Sequence, residues 1–200
     1  MLIHTFGDSH SSTRISGWKD CKNVIAHELG ALLCYSFGKE KLNRFDIRNY
    51  DIKDNDTVIF CLGEIDCRCH IYKHISKEKT YNMIIDEIIE NYIDAIELNI
   101  KLCNAKLKNI CIYNVVPPIE KYNTFENREY PYLGTDEERK SYVLYFNECI
   151  NKKCKEKNWI YFDIYNNYID SNGYLRKDLS DGNVHIRNGY YYQKFIEKNL

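Results

Sequence analysis

Two features of this sequence of 200 residues predict a doubly wound α/β domain. Short runs of β-branched, aromatic and other apolar residues, bounded by Gly, Pro, Asp or Asn, alternate with longer stretches of helical periodicity. Residues suited to chemistry follow directly after several of the short runs, where a parallel sheet presents the carboxyl ends of its strands to ligands.

Taken in order, strands are predicted over 2–6, 23–28, 57–62, 109–116 and 159–164, all apolar enough to be covered on both faces. The longest helix is predicted from 80 to about 106, where Ile84, Ile85, Ile88, Ile89, Tyr92 and Ile93 recur at steps of three and four. A second spans 136–157, with Thr135 and Glu138 at capping-box spacing. A third runs from about 188 to 198. No repeat, low-complexity linker or composition shift divides the chain, so residues 1–200 are expected to form one domain.

Composition narrows the function. With 28 basic and 29 acidic residues, the chain carries no electrostatic footprint for nucleic acid or an anionic membrane. No apolar run approaches the ~20 residues that span a bilayer. A strand beginning at Leu2 leaves no room for a signal peptide, so a cytoplasmic location is expected. There the nine cysteines are expected as reduced thiols, several of them, such as Cys61 and Cys111, serving as small buried hydrophobes.

Three segments carry chemistry. Gly7-Asp8-Ser9-His10-Ser11 follows the first strand, so Gly7 permits a sharp turn and Ser9 falls near a helix start, whose free N–H groups can hold an oxyanion. The competing reading is that Asp8 or Ser9 only caps that helix. Asp181-Gly182-Asn183-Val184-His185 precedes the last helix. A serine hydroxyl needs a base, and the base needs an acid that fixes its tautomer; Asp181 and His185 supply both types, although Ser-Asp-Gly-Asn also favours a plain turn. The third segment, Gly63-Glu64-Ile65-Asp66-Cys67-Arg68-Cys69-His70, follows the third strand and should lie beside Ser9. Its Cys67, Cys69, His70 and His74 are ligand types for zinc, but Cys-x-Cys is not the usual spacing and no second cysteine pair follows, so no metal is expected.

Together these blocks resemble the SGNH (GDSL-type) hydrolases, a family of esterases, lipases, carbohydrate acetylesterases and O-acyltransferases. Gly7-Asp8-Ser9-His10 is similar to the first block, Gly-Asp-Ser-Leu, with His for Leu; Gly30 matches the glycine of the second. Gly63-Glu64-Ile65-Asp66 corresponds to Gly-x-Asn-Asp and Asp181…His185 to the final Asp-x-x-His. The α/β-hydrolase elbow, Gly-x-Ser-x-Gly, is a poorer match, because that fold places several strands before its serine. The resemblance implies a flavodoxin-like three-layer α/β/α sandwich with a five-stranded parallel sheet. It further implies a Ser9–His185–Asp181 triad, an oxyanion hole from Ser9 and Gly30, and no cofactor.

Two departures stand out. Ile65 replaces the Asn that donates to the oxyanion in the family, and Arg68 is the candidate substitute, with pairing to Glu64 or Asp66 as its alternative. Asp181 lies four residues before His185 rather than three; Asp178 is too far upstream to replace it, and a bulge at Gly182 restores the geometry. Asp8, Glu64, Asp66 and Arg68 are expected to contact substrate. His4 and His27 are expected as satisfied core or edge residues, and Tyr190, Tyr191 and Tyr192 as packing groups. Pro117 and Pro118 shape the rim, and the loop of residues 120–135, with Tyr122, Phe125, Tyr130 and Tyr132, is long enough to flank the substrate, its aromatics suiting either a sugar ring or ordinary loop packing. The expected activity is hydrolysis of a small O-acyl ester, acetyl on a sugar or glycan precursor; acyl transfer to a sugar hydroxyl and non-catalytic glycan or partner binding are the alternatives. The expected ligand is a small ester or acylated sugar.

Overall fold

A computed structural model describes residues 1–123 and 128–200; Phe125 lies outside the described residues. Five strands, β1 (Ile3–Gly7), β2 (Val24–Glu28), β3 (Thr57–Cys61), β4 (Asn109–Tyr113) and β5 (Ile160–Phe162), form one sheet in the order β2-β1-β3-β4-β5. Every pairing is parallel. The helices are α1 (Cys34–Glu40), α2 (Ile71–His74), α3 (Tyr81–Leu102), α4 (Asp136–Lys157) and α5 (Tyr190–Asn199). A π-helical turn, Asp66–His70, runs directly into α2.

Alternation along the strands divides the core into two layers. Phe6, Val58, Phe60 and Ile112 face the buried sides of α1, α3 and α4, where Phe37, Ile85, Tyr92 and Phe146 meet them. Ile59, Cys61, Cys111 and Phe162 face the other way, toward Trp18, Tyr192 and Ile196. The result is the three-layer α/β/α sandwich anticipated from the sequence, with its topological switch between β1 and β3.

The capping box at α4 is formed by Thr135 and Glu138. β4 ends earlier than its apolar run: the Asn114 N–H still donates to the Phe162 carbonyl at 3.1 Å, but Val115 N–H turns to Asn147 Oδ1 at 2.7 Å and the Asn114 side chain accepts the Ile164 N–H at 2.9 Å. α1 is an element that sequence periodicity does not reveal. At the sheet's amino end His4 Nδ1 lies 3.0 Å from His27 Nε2, and His4 Nε2 lies 3.2 Å from Asp56 Oδ2. These two histidines are satisfied as core and edge residues. Tyr192 is buried with its hydroxyl against that of Tyr113, whereas Tyr190 is exposed.

Gly7 fixes how closely β1 approaches β3. A Cβ there would meet the Cys61 carbonyl oxygen at 2.0 Å, and neither backbone can move without breaking the ladder. Gly7→Ala is therefore expected to destabilise the fold by ~3 kcal/mol or to prevent soluble expression. A urea midpoint equal to wild type would overturn this account of the β1–β3 spacing.

Candidate active site

The turn after β1 delivers Ser9 to the carboxyl edge of the sheet. The helix anticipated there is a single 3₁₀ turn, Ser9–Ser11, and Asp8 caps it: Asp8 Oδ1 accepts the His10 N–H at 2.9 Å. Capping and display of Ser9 are thus the same local event. Ser9 Oγ lies 2.8 Å from His185 Nε2, across 176 residues of sequence, and His185 Nδ1 lies 2.6 Å from Asp181 Oδ2. Burial works against charge on Asp181, but the His185 ring and the N–H groups of Asn183 and His185 outweigh it and hold the carboxyl below its usual range. An ionised carboxylate only accepts, so Nδ1 carries the ring proton and Nε2 is left to accept from the Ser9 hydroxyl.

The four-residue spacing is absorbed inside one loop. Asp181 N–H donates to the His185 carbonyl at 3.0 Å, and Ser180 and Ile186 close the loop as an antiparallel bridge. The remaining turn needs a left-handed residue, and Gly182 takes φ +84°. Asp178 pairs with Arg176 at 2.6 Å, and it is Asp181 whose carboxylate His185 Nδ1 meets.

A cleft of about 250 Å³ opens over Ser9, with Gly30, Ala31, Ile65, Val184 and His185 around it. Gly30 sits at φ +73° in the loop after β2. Asp8 and Arg68 also reach the cleft wall; Glu64 and Asp66 do not. Both, expected at the substrate, are engaged by other groups of the protein. Asp66 is fully buried, and its carboxylate accepts the N–H groups of Cys34 at 2.7 Å and Tyr35 at 3.1 Å, so it anchors the start of α1. Burial, only partly offset by those bonds, raises Asp66 to about 6. Glu64 Oε1 lies 2.8 Å from Arg68 Nε and its Oε2 lies 3.8 Å from His10 Nε2. Burial alone would raise Glu64, but Arg68 and His10 bring it down to about 2.

Arg68 is accordingly held from several sides. Besides Glu64, it donates from Nη1 to the Tyr130 carbonyl at 2.7 Å and stacks on the Tyr132 ring at 5.3 Å. Tyr130 and Tyr132 line the cleft, while Tyr122 is 77% exposed. Sequence reasoning missed the part played by His10. It stands where the resembled motif has Leu, its ring lies 4.9 Å from that of His185, and burial pushes its imidazole below the ordinary range. His70 and His74 stack with Tyr35, at 4.3 and 6.1 Å from its ring, rather than joining Cys67 and Cys69. Among the described residues no group of three or more His, Cys, Asp or Glu is placed to hold a metal ion.

Asp8 is 1% exposed, and its Oδ2 has no hydrogen-bond partner among the described residues. Burial drives its carboxyl well above the ordinary value of 3.8, with Glu64 and Asp66 adding to the rise. The folded chain thus keeps a proton that the unfolded chain releases above that value, so Asp8 lowers stability progressively as pH rises. Asp8→Asn retains an acceptor for His10 N–H and removes the titration. Its stability relative to wild type is expected to grow in denaturant titrations as pH rises above the ordinary carboxylate range. A difference that does not vary with pH would show Asp8 to be ionised in the fold.

The backbone as a whole is similar to solved structures of esterases and lipases. A GDSL-like lipase from Bacteroides thetaiotaomicron superposes with a TM-score of 0.64 at 16% identity, over 100% of this chain and 89% of that one. An aryl esterase from M. smegmatis gives 0.60 at 12% identity, over 100% and 99%. An acetylxylan esterase from Geobacillus stearothermophilus gives 0.58 at 11% identity, over 98% and 92%. No family model matches the chain, and a search of curated proteins gives no match. At these identities the likeness establishes the fold: a five-stranded parallel α/β/α sandwich of the kind on which those enzymes are built.

Proposed function

We propose that the protein is an SGNH-type serine esterase that removes a small acyl group, most simply acetyl, from a carbohydrate or glycan precursor. The observation that carries this reading is the unbroken hydrogen-bonded chain from Asp181 through His185 to Ser9 at the carboxyl end of β1. In this mechanism Ser9 Oγ attacks the ester carbonyl carbon as His185 Nε2 takes its proton, and Asp181 stabilises the resulting imidazolium. The N–H groups of Ser9 and Gly30 hold the oxyanion. Collapse expels the alcohol, which receives the proton from His185; a water then gives its proton to His185 and attacks the acyl-serine, and His185 returns that proton to Ser9 Oγ as the acid leaves. The walls formed by Ala31, Ile65 and Val184, in a cleft of about 250 Å³, suit a short acyl chain. The similarity of the fold to an acetylxylan esterase supports the carbohydrate side of the proposal.

Ser9→Ala is expected to lower kcat for an aryl acetate by on the order of 10⁴-fold or more while leaving the thermal midpoint near wild type. Asp181→Asn should cost on the order of 10⁴-fold by releasing the ring tautomer. Purified Ser9→Ala with undiminished turnover would end the triad. Water-dependent release of acetate identifies a hydrolase, and release only in the presence of a sugar acceptor a transferase.

Arg68 is proposed to supplement the oxyanion hole where Ile65 offers no donor. Removing it alone strands the Glu64 carboxylate, which is 12% exposed, so the informative comparison is Arg68→Ala with Glu64→Gln against Glu64→Gln alone. Loss of a direct donor costs ~10²–10³ in kcat with little change in KM, and that is the expected result. A change in KM alone would make Arg68 a substrate-binding residue, and unchanged kinetics would make it the ion-pair partner of Glu64.

A further inference from the structure

We infer that the cavity on the far side of the 180–183 loop binds the sugar rings of an acylated oligosaccharide whose ester end reaches Ser9; this rests on the esterase reading. The cavity holds about 740 Å³, roughly three times the cleft over Ser9. The two spaces meet at Asn183, which lines both, and Tyr132 on the cleft side donates its hydroxyl to Asn183 Oδ1 at 3.3 Å. One face of the loop therefore carries Asp181 and His185 toward Ser9, while Ser180, Gly182 and Asn183 border the cavity.

The lining decides what chemistry fits. Ile119, Ile169, Tyr174 and Leu175 supply apolar surface, and Tyr174 and Leu175 are buried. Around them stand Glu120, Asp170 and Asp178 with Arg176 and Lys177, and Arg176 is paired with Asp178 at 2.6 Å. A lipid tail would strip water from five charged side chains without replacing any of their bonds. Three carboxylates against two cations oppose a phosphorylated or otherwise polyanionic ligand. A neutral, polyhydroxylated ring satisfies both conditions, since its C–H faces pack on apolar side chains and its hydroxyls bond to carboxylates, guanidinium and amide. The volume lies in the range of whole ligand pockets, which suits several linked rings better than one.

The test compares kcat/KM for phenyl acetate, acetylated glucose, and acetylated maltotriose, cellotriose and xylotriose. At least one trisaccharide series is expected to exceed the monosaccharide by about tenfold, which corresponds to ~1.4 kcal/mol of added binding. Ser171→Trp, which projects a ring from an exposed position of the lining, is expected to reduce the trisaccharide-to-phenyl-acetate ratio by about the same factor. Ser9-dependent turnover of phenyl acetate with no gain for any trisaccharide would overturn the cavity's role and leave the esterase standing. If no ester is turned over, calorimetry with the three unacetylated trisaccharides still decides the matter. Binding weakened by Ser171→Trp supports the site, and absence of binding ends it.

Discussion

The absence of a side chain at residue 7 sets the spacing on which the site is built. With Gly7 directly against Cys61, β1 and β3 stay paired to their last residues, and their outgoing turns leave the sheet side by side. Ser9 emerges from one turn, and Ile65 and Arg68 from the other, on two walls of a single cleft. A doubly wound sheet changes winding direction between these two strands, so no helix covers that point. Ser9, Ile65 and Arg68 thus stand where the topology leaves the strand ends open.

Beneath the cleft lies an unusual load of charge. Asp8, Glu64 and Asp66 crowd together with Arg68 as the cation that Glu64 engages, and their environments push them in different directions. Arg68 and His10 draw Glu64 down; burial drives Asp8, with one oxygen unpartnered, well up; and Asp66, also raised by burial, accepts two backbone N–H groups. Separation into distinct roles lets three acids share a small volume without three uncompensated charges. One caps the Ser9 turn, one holds the arginine, and one starts a helix.

Much of this was legible in the sequence, and what was not has a common cause. The strands, α3, α4 and α5 announce themselves because their stabilising pattern is local: apolar periodicity, a capping box, bounding turn residues. Ser9, Asp181 and His185 could be singled out because each sits in a turn that its neighbours specify. α1 could not, because Asp66, 32 residues later than Cys34, satisfies its first N–H groups. The same distance hid the direction of Asp66, which the motif placed at the substrate and the fold turned inward. Charged residues after a strand are easy to find, but their aim is decided by partners elsewhere in the chain.

A second chain of carboxylate and imidazole, Asp56–His4–His27, begins at the amino end of the same sheet. It has the acid and the ring, but its far end stacks on Phe6 and Tyr50 instead of meeting a hydroxyl. The molecule therefore contains its own control. An aligned Asp–His pair recurs here as ordinary sheet architecture, and what sets the other apart is a serine at bonding distance with open space beside it.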